Sequence, residues 1–453
     1  MQMVGERPHE RLSLFDGRCV QVVDREPHHL ASVVTAGSDE REVSGVTVVE
    51  FVLLDEADHG RRGHTAEHGV VIGADVVLAT QPQPTGDFVG QGDLVDAAVA
   101  AIEKFVKAGG TLVANRLHKH FAKQHADVEI TVVDQDDHHM YQPGLLFVPF
   151  GLAAHSEIVR PRHAQLRKGV RFVEQPIDRV DKDRNTVVLE GGFELPYDVL
   201  VIATGSTLAM GETEGLTGPG WMEKVFTFYD IAGATGLETA LADFDGGRLV
   251  VNIVDMPIKC PVAPLEFAFL ADSYFKERGM RDKVDMTYVT PLPGAFTKPI
   301  AAEAFGNTLD EKGITVEPDF MLMEIDNEKA ALVSYDEREV PFDLLVTVPL
   351  NMGADYVARS GMGNELNLVP VDKFTQQSKE YTNVFALGDA NDIPASKAGS
   401  VAHFEIDVFV DNFLQYIAGK DMTHRFDGHA NCFIETGEGK AMLIDFNYDT
   451  EPL

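Results

Sequence analysis

The sequence predicts an α/β protein with two Rossmann-like dinucleotide-binding domains and an atypical N-terminal α/β extension. Strands rich in Val and Ile alternate with helices from about residue 130 onwards, a pattern that is typical of parallel sheets. Two apolar runs, 199–206 and 383–392, each lead into a glycine turn. Residues 1–92 lack this regular alternation, and we therefore expect a separate extension there.

Composition limits the kinds of partner that the chain can have. Its 453 residues include Lys+Arg 38 against Asp+Glu 72, a formal net charge of −34. We expect no nucleic-acid partner, because phosphate binding needs a cationic surface. The cysteines Cys19, Cys260 and Cys432 are too few for a disulfide framework and lack zinc spacing, so no metal site is predicted. No apolar run of about 18 residues exists, so we expect only peripheral membrane contact.

The first α/β unit carries half of a dinucleotide-binding fingerprint. Such a site needs strand–G-x-G-x-x-G–helix, because glycines let a pyrophosphate reach backbone N–H groups at the helix start. Gly110 stands at the third glycine position, whereas Phe105 and Lys107 stand at the first two. Residues with a helical pattern stand where the preceding strand is needed. Asp134 follows about 20–25 residues on, where a ribose-binding acid is expected. An acid that ends a strand is about as often a solvated turn residue.

Two later turns favour FAD as the cofactor. One strand delivers Thr204 and Gly205 to a turn, and the other delivers Gly388 and Asp389. Gly388 lets the chain approach a ribityl phosphate closely, and Asp389 is an acceptor for a ribityl hydroxyl. The helix that starts near Lys397 is expected to direct its positive end and the lysine charge at the flavin pyrimidine edge, which stabilises the anionic reduced flavin.

The second α/β unit lacks glycine where a nicotinamide dinucleotide needs it. After the strand 248–255, the turn reads MPIKCPVAP, so a pyrophosphate is not expected here. The turn holds Cys260 instead. A thiol beside Lys259 and near a helix start is predicted to have a lowered pKa and hence more thiolate. Glu266, in the first turn of that helix, is a candidate proton relay, although an acid at a helix start needs no function.

The tail contributes a second thiol. Cys432 stands in HANCFIETGEG, followed by Phe433, an aromatic ring that suits a flat quinone. A single cysteine is more often a buried small hydrophobe than a catalyst. The pairing of Cys260 with Cys432 is what favours redox chemistry, and Cys19 receives no role.

Together these motifs resemble those of the sulfide:quinone oxidoreductase family, over about residues 109–453. The segments that carry the resemblance are ITVVDQDDHHMYQPGLL, LVIATGS, PIKCPVAPLEFAF, NVFALGDANDIPASKAG and GHANCFIETGEGKAMLIDF. The resemblance implies a fold of the flavin disulfide-reductase type. It also implies a redox-active pair at Cys260 and Cys432 and an acid, Glu266, near the sulfide site. Finally, it implies a quinone beside Phe433 and Lys397, and FAD held by Asp134, Thr204, Gly205 and Asp389 with Lys397 near the flavin.

The activity implied by the resemblance is oxidation of sulfide to zero-valent sulfur or polysulfide, with electrons passing through FAD to a membrane quinone. Two alternatives stay open. One is an NADH:quinone or cytochrome-linked flavin oxidoreductase, and the glycine-free turn disfavours the use of NADH. The other is a flavin-free, non-catalytic remnant or fusion, because the first fingerprint is incomplete. For the same reason we expect weak FAD retention.

The chain departs from the family at three points. No cysteine stands in 206–220, where many members carry a third one, and the first strand with its first two glycines is missing. The chain also ends at Leu453, before the apolar segments with which members dock on membranes, so we expect weaker membrane binding. Residues 92–110 faintly resemble a DsrE-type sulfur-relay protein.

The predicted domain boundaries follow from these motifs. The extension spans 1–108, and 109–218 with 346–420 form a discontinuous FAD-binding domain. Residues 219–345 form the second, NAD-like domain with Cys260, and 421–453 form a C-terminal segment with Cys432. We expect sulfide and quinone as partners, with a homo-oligomer as an option. The expected location is the cytoplasm or the periphery of the membrane in a prokaryotic cell.

Overall fold

The computed structural model describes residues 128–452 and 116–117 and, as backbone only, 11–15 and 18–22. The chain divides into two compact units, 1–105 with 438–443 and 106–437 with 444–453. In the first unit, the described segments near the N-terminus form an antiparallel strand pair. The predictions for the remaining extension, for the helix at 92–110 and for Gly110 lie outside the described residues.

The described strands and helices are numbered along the chain. The strands are β1 Arg11–Phe15, β2 Arg18–Val22, β3 Thr131–Asp134, β4 His138–Met140, β5 Val159–Pro161, β6 Arg171–Glu174, β7 Ile177–Asp181, β8 Thr186–Leu189, β9 Glu194–Pro196, β10 Leu200–Ile202, β11 Ser206–Leu208, β12 Val225–Phe226, β13 Gly247–Ile253, β14 Val284–Val289, β15 Ile314–Glu317, β16 Leu322–Asp326, β17 Ala331–Ser334, β18 Glu339–Pro341, β19 Leu344–Val348, β20 Asn351–Gly353, β21 Val384–Ala386, β22 Ala430–Gly437 and β23 Lys440–Phe446. The helices are α1 His155–Ile158, α2 Ile231–Asp243, α3 Ala263–Glu277, α4 Pro299–Glu311, α5 Asp355–Arg359 and α6 Gly399–Ile417.

A five-stranded parallel sheet forms the centre of the predicted second domain, in the order β12-β19-β13-β14-β15. β13 and β19 lie inside the sheet, and β19 is buried along its whole length. Their runs of Val, Leu and Ile suit this position, because parallel strands are covered on both faces. The strand–helix alternation predicted for this part of the chain is confirmed.

Helix α3 follows β13 and is buried on nearly every side. Pro264 lies in its first turn, where a missing N–H is tolerated. Gly279, with φ +64°, lies just beyond its end, as is usual for a helix C-terminus. Phe267 stacks on Phe228 with ring centroids 5.0 Å apart, and burial of one such ring contributes about 1.5–3 kcal/mol. This packing fixes the helix that follows the Cys260 turn.

Strand β22 packs against α3, and a glycine makes the close approach possible. A Cβ atom on Gly437 would lie 2.0 Å from Ser273 Oγ and 2.9 Å from the carbonyl oxygen of Phe269. Any side chain here would push β22 away from the helix. The contact brings Cys432, on β22, towards the start of α3.

The parallel strands of the predicted FAD domain form two separate pairs, β3–β6 and β10–β21. Within 128–452 no further strand joins these pairs into one sheet. The β10–β21 pair packs on an apolar cluster, which Val201 and also Ile130, just before β3, border. Its buried members are Leu117, Phe385, Leu387, Ile406, Phe409, Val410 and Phe413. The split agrees with the sequence, which supplies no strand directly before Gly110.

Among the residues that the structure describes, no helix combines the length and the apolar character needed to cross a bilayer.

Candidate redox site

Cys260 lies in the turn between β13 and α3, with its backbone in the left-handed region at φ +86°. A residue other than glycine is uncommon there. Three hydrogen bonds hold the peptide units on either side. The Cys260 N–H donates to the Lys397 carbonyl at 2.8 Å. Its own carbonyl accepts from the Ala263 N–H at 2.8 Å and from the Tyr229 hydroxyl at 3.2 Å.

The residue before Cys260 is held as well. The Lys259 N–H donates to Asn351 Oδ1 at 2.9 Å, and the Asn351 side-chain amide donates to the Pro349 carbonyl at 2.9 Å. Asn351 is buried. The turn is therefore tied to β20 on one side and to the segment before α6 on the other.

The structure brings the two predicted cysteines into one site. Cys260 and Cys432 are partly buried free thiols, and Cys432 is close enough that its charge raises the pKa of Cys260. Glu266 raises the pKa of both thiols by the same electrostatic effect. The three side chains named from the sequence as catalytic thus interact with one another.

The predicted lowering of the Cys260 pKa is wrong. Burial raises the pKa of this thiol well above its usual value, and the negative charges of Cys432 and Glu266 raise it further. Burial likewise raises the pKa of Cys432 to about 12. The Lys259 charge interacts with Asp389 and Asp230 and does not offset the loss of hydration at the thiol. Both cysteines are neutral thiols near pH 7.

Glu266 is buried, with 7% of its surface exposed. Its Oε1 accepts a hydrogen bond from the Glu435 N–H at 3.0 Å. Burial raises the pKa of Glu266 to about 8, with a smaller contribution from the Glu435 charge and an opposing one from that hydrogen bond. A carboxyl with this pKa holds a proton near pH 7 and can exchange it, as a general acid or base must.

Asp389 is a carboxyl with few partners. Its one hydrogen bond among the described residues is long, from Ser206 Oγ at 3.5 Å. Burial raises its pKa, and the nearby charges of Lys397 and Lys259 oppose that shift. The preceding Gly388 has φ +62°, which a glycine adopts without strain. The Asp389 carboxylate at this turn can therefore accept further hydrogen bonds.

Lys397 is buried, and its ammonium donates to the backbone carbonyl of Asn391. Burial lowers its pKa. Helix α6 begins at Gly399, as predicted. The charge that the sequence assigned to a flavin edge is bound by the chain's own carbonyl in this structure.

Glu405, on α6, is a site residue that sequence reasoning missed. It is fully buried and accepts hydrogen bonds from the Gly388 N–H and from the side-chain amide of Asn391. Burial raises its pKa to about 8. A signal existed, since this acid interrupts the apolar stripe that Val401 and Phe409 form at helical spacing.

The remaining predicted cofactor residues lie at strand ends. Asp134 ends β3 and pairs with Arg162 at 3.0 Å, and burial raises its pKa against the opposing charge of Arg162. Thr204 Oγ1 lies 3.3 Å from the Tyr356 hydroxyl, and Gly205 has φ +69°. Arg162 and Tyr356 were not anticipated from the sequence. The ligand contacts of these residues stay predictions.

Phe433 is partly buried on β22. Because side chains alternate along a strand, it lies on the opposite face from Cys432. Its assignment to a quinone stays a prediction. Among the described residues, no group of three His, Cys, Asp or Glu side chains is placed to hold a metal ion.

A cavity of about 510 Å³ opens beside the Cys260 turn. Its wall includes Ile258 and Pro261 from that turn and Lys397 from the segment before α6. Lys298 and Lys373 add two further ammonium groups. The cavity lies at the carboxyl ends of parallel strands, where α/β folds usually bind ligands.

Comparison with known proteins finds relatives in sequence and in fold. The family model described as pyridine nucleotide-disulphide oxidoreductase matches residues 108–403. The mitochondrial sulfide:quinone oxidoreductase of Mus musculus is 26% identical over 352 residues, which cover 76% of this chain and 77% of that protein. Its counterpart in Schizosaccharomyces pombe is 28% identical over 395 residues, or 81% and 85%. The solved sulfide:quinone oxidoreductase of Aquifex aeolicus has a TM-score of 0.65 at 21% identity, covering 75% of this chain and 82% of that one.

Proposed function

The chain belongs to the pyridine nucleotide-disulphide oxidoreductase family, and we propose that it oxidises sulfide to zero-valent sulfur and passes the electrons through FAD to a quinone. One observation carries the proposal. A cysteine stands in the turn where a dinucleotide-binding unit needs glycines, and this cysteine interacts with a second cysteine and with the buried Glu266. Two thiols and an acid of this kind suit disulfide exchange rather than nicotinamide binding.

The residues at the Gly388 turn fit the flavin end of FAD. Asp389 has a single long hydrogen bond among the described residues, and a carboxyl largely removed from water normally has shorter ones, so ribityl hydroxyls suit it as missing donors. Lys397 and Lys259 supply positive charge beside it. When bound, FAD supplies the acceptor for two electrons. Asp134, Thr204, the left-handed Gly205 and Gly110 are the proposed contacts for the rest of the cofactor.

Because the pKa values of both thiols are raised, the proposed reaction needs a proton donor, and Glu266 is the proposed one. Hydrosulfide attacks one sulfur of a Cys260–Cys432 disulfide, the S–S bond breaks, and one cysteine carries a persulfide while the other leaves as a thiolate. A thiolate whose conjugate acid has a pKa of about 12 is a poor leaving group. Glu266, protonated near pH 7 because its pKa is about 8, supplies the proton that this sulfur needs.

The net change at sulfur closes the balance. Hydrosulfide loses one proton and two electrons and leaves as zero-valent sulfur, and the two cysteines return to the disulfide. The quinone takes up the two electrons with two protons, one released by the hydrosulfide and one from water. Because quinones dissolve in bilayers, we also propose a peripheral membrane location. The mouse and fission yeast relatives are mitochondrial by name, so this location is not tied to a prokaryotic cell.

Reduction by sulfide and by NADH separates the proposal from its main rival. The purified protein, supplied with excess FAD, is mixed anaerobically with either reductant while the visible flavin absorbance is followed. We expect sulfide to bleach the flavin and NADH to leave it oxidised, because the turn at 256–264 has no glycine for a pyrophosphate. Faster bleaching by NADH than by sulfide would contradict the proposal.

A further inference from the structure

The backbone conformation of Cys260 needs support from its surroundings. A left-handed φ of +86° is strained for a residue with a Cβ atom. Glycine normally occupies such a position, but glycine has no thiol. If this conformation is to persist, neighbouring groups must hold the peptide units on both sides of Cys260.

One of the groups that hold this backbone is a side chain. The bonds from Ala263 and to Lys397 are backbone–backbone contacts, which form whatever side chains stand there. Within the described residues, the Tyr229 hydroxyl, at 3.2 Å from the Cys260 carbonyl oxygen, is the side-chain group that bonds a peptide unit next to Cys260, whereas Asn351 bonds the preceding unit at the Lys259 N–H. A substitution at position 229 can therefore remove this bond while the two backbone–backbone bonds remain available.

Tyr229 is itself rigidly placed. It is buried, with 5% of its surface exposed, and its ring meets the edge of Phe228 with centroids 5.0 Å apart. Phe228 stacks on Phe267 of α3, so the tyrosine is anchored to the helix that begins just after Cys260. Burial raises the pKa of Tyr229 well above its usual value, and the hydroxyl keeps its proton as a donor.

We propose that Tyr229 is a positioning residue of the redox site, whose hydroxyl holds the carbonyl of Cys260 and so keeps the left-handed turn with its thiol facing Cys432. The inference rests on the proposed Cys260–Cys432 pair. Without the hydroxyl, the turn can relax and the two sulfurs meet less often. The disulfide then forms less readily, which makes the pair easier to reduce.

A phenylalanine at position 229 tests this with little change of shape. Loss of one hydrogen bond shifts an equilibrium by about fivefold, so Tyr229→Phe is expected to lower the equilibrium constant for disulfide formation by about that factor. Tyr288→Phe is the matched control. Tyr288 is also fully buried, and its hydroxyl has no hydrogen-bond partner in the described part of the chain.

The measurement uses the full-length protein in glutathione buffers of graded redox ratio. Samples are quenched with acid and alkylated, and the Cys260–Cys432 disulfide is quantified by peptide mass mapping. We expect the wild type and Tyr288→Phe to agree and Tyr229→Phe to be shifted. An equilibrium constant for Tyr229→Phe within about twofold of the wild type overturns the inference alone. Absence of this disulfide from the wild type at every ratio overturns the proposed function as well.

A second measurement needs no disulfide and separates positioning from general packing. The melting temperature is compared with and without Tyr229→Phe in two backgrounds, Cys260→Ala and Cys260→Gly. Alanine keeps the backbone strain, whereas glycine relieves it. Relaxation of the turn after loss of the hydroxyl relieves this strain in the alanine background and so offsets part of the lost hydrogen bond. We therefore expect the drop caused by Tyr229→Phe to be smaller with alanine than with glycine, and equal drops overturn the inference.

Discussion

The two cysteines are tested most directly by serine, which is nearly isosteric but cannot form a disulfide. We expect Cys260→Ser and Cys432→Ser each to abolish sulfide-dependent quinone reduction while the fold is kept, because each sulfur is one half of the exchangeable bond. Turnover is measured with sulfide and a soluble quinone, and the fold by circular dichroism. Cys19→Ser serves as the control and is expected to keep full activity. Turnover of either test variant within about tenfold of the wild type would refute the pair.

The raised pKa of Glu266, about 8, predicts how the rate of disulfide opening depends on pH. Below that pH the carboxyl holds the proton that the leaving thiolate needs, and above it the carboxyl is ionised. We expect the rate of disulfide opening, corrected for the hydrosulfide concentration, to fall as the pH rises through about 8. Disulfide opening in Glu266→Gln should be slower by about 100-fold or more, and its rate should lack the break, which is the fall near pH 8.

Rapid quenching followed by thiol titration measures that rate without relying on the flavin signal. Glu405→Gln is the matched control, since burial raises the pKa of Glu405 to about 8 as well. If Glu266 is the group responsible, the break persists in Glu405→Gln. A break that survives in Glu266→Gln and disappears in Glu405→Gln would assign the proton to the other carboxyl.

The elements around the site could largely be predicted from sequence, because their periodicity is local. The helix expected at 264–279 is α3, Ala263–Glu277, and the strand expected at 248–255 is β13, Gly247–Ile253. What sequence reasoning missed depends on burial, which is set by distant parts of the chain. The Cys260 pKa was predicted from its neighbours in sequence, yet β22 and Glu266 surround the thiol and reverse the direction.

Helix α3, which positions Glu266, is held by a buried charge cluster at its other end. Asp272 is fully buried and pairs with Lys276 at 2.8 Å, Arg281 at 2.7 Å and Lys312 at 3.1 Å. Removing the carboxylate takes the counter-charge from Arg281 and Lys312, whose side chains are mostly buried. We expect Asp272→Asn to lower the free energy of unfolding by about 3–5 kcal/mol, measured by denaturant titration.

An exposed ion pair offers the matched comparison. Asp343 pairs with Arg248 at 2.9 Å, and both side chains are more than 40% exposed. Because exposed pairs contribute about 0–1 kcal/mol, Asp343→Asn should change the unfolding free energy little. Equal losses in the two variants would show that burial does not set the strength of the Asp272 cluster.

At the scale of the whole molecule, the sheet of the proposed FAD domain departs from a doubly wound arrangement within the described residues. β3–β6 and β10–β21 stay separate pairs among the described residues, although Ile130 and Val201 border one apolar cluster. In a doubly wound sheet, the strand before the glycine fingerprint lies at the centre and ends where the pyrophosphate binds. The residues proposed for the flavin end thus lie within the described part of the chain, whereas the glycine fingerprint proposed for the phosphate end is incomplete in the sequence.

This imbalance predicts weak FAD retention. Phe105 and Lys107 stand where two glycines are needed, and side chains there crowd a pyrophosphate on its usual path. We expect the purified protein to lose most of its FAD on gel filtration, as judged from the ratio of visible to ultraviolet absorbance. A variant with a Val-rich strand and G-x-G-x-x-G ahead of Thr111 should keep far more, whereas the same insert in scrambled order should not. If the unmodified protein emerges with stoichiometric FAD, then the N-terminal region builds a phosphate site by other means, and the missing glycines are no obstacle to catalysis.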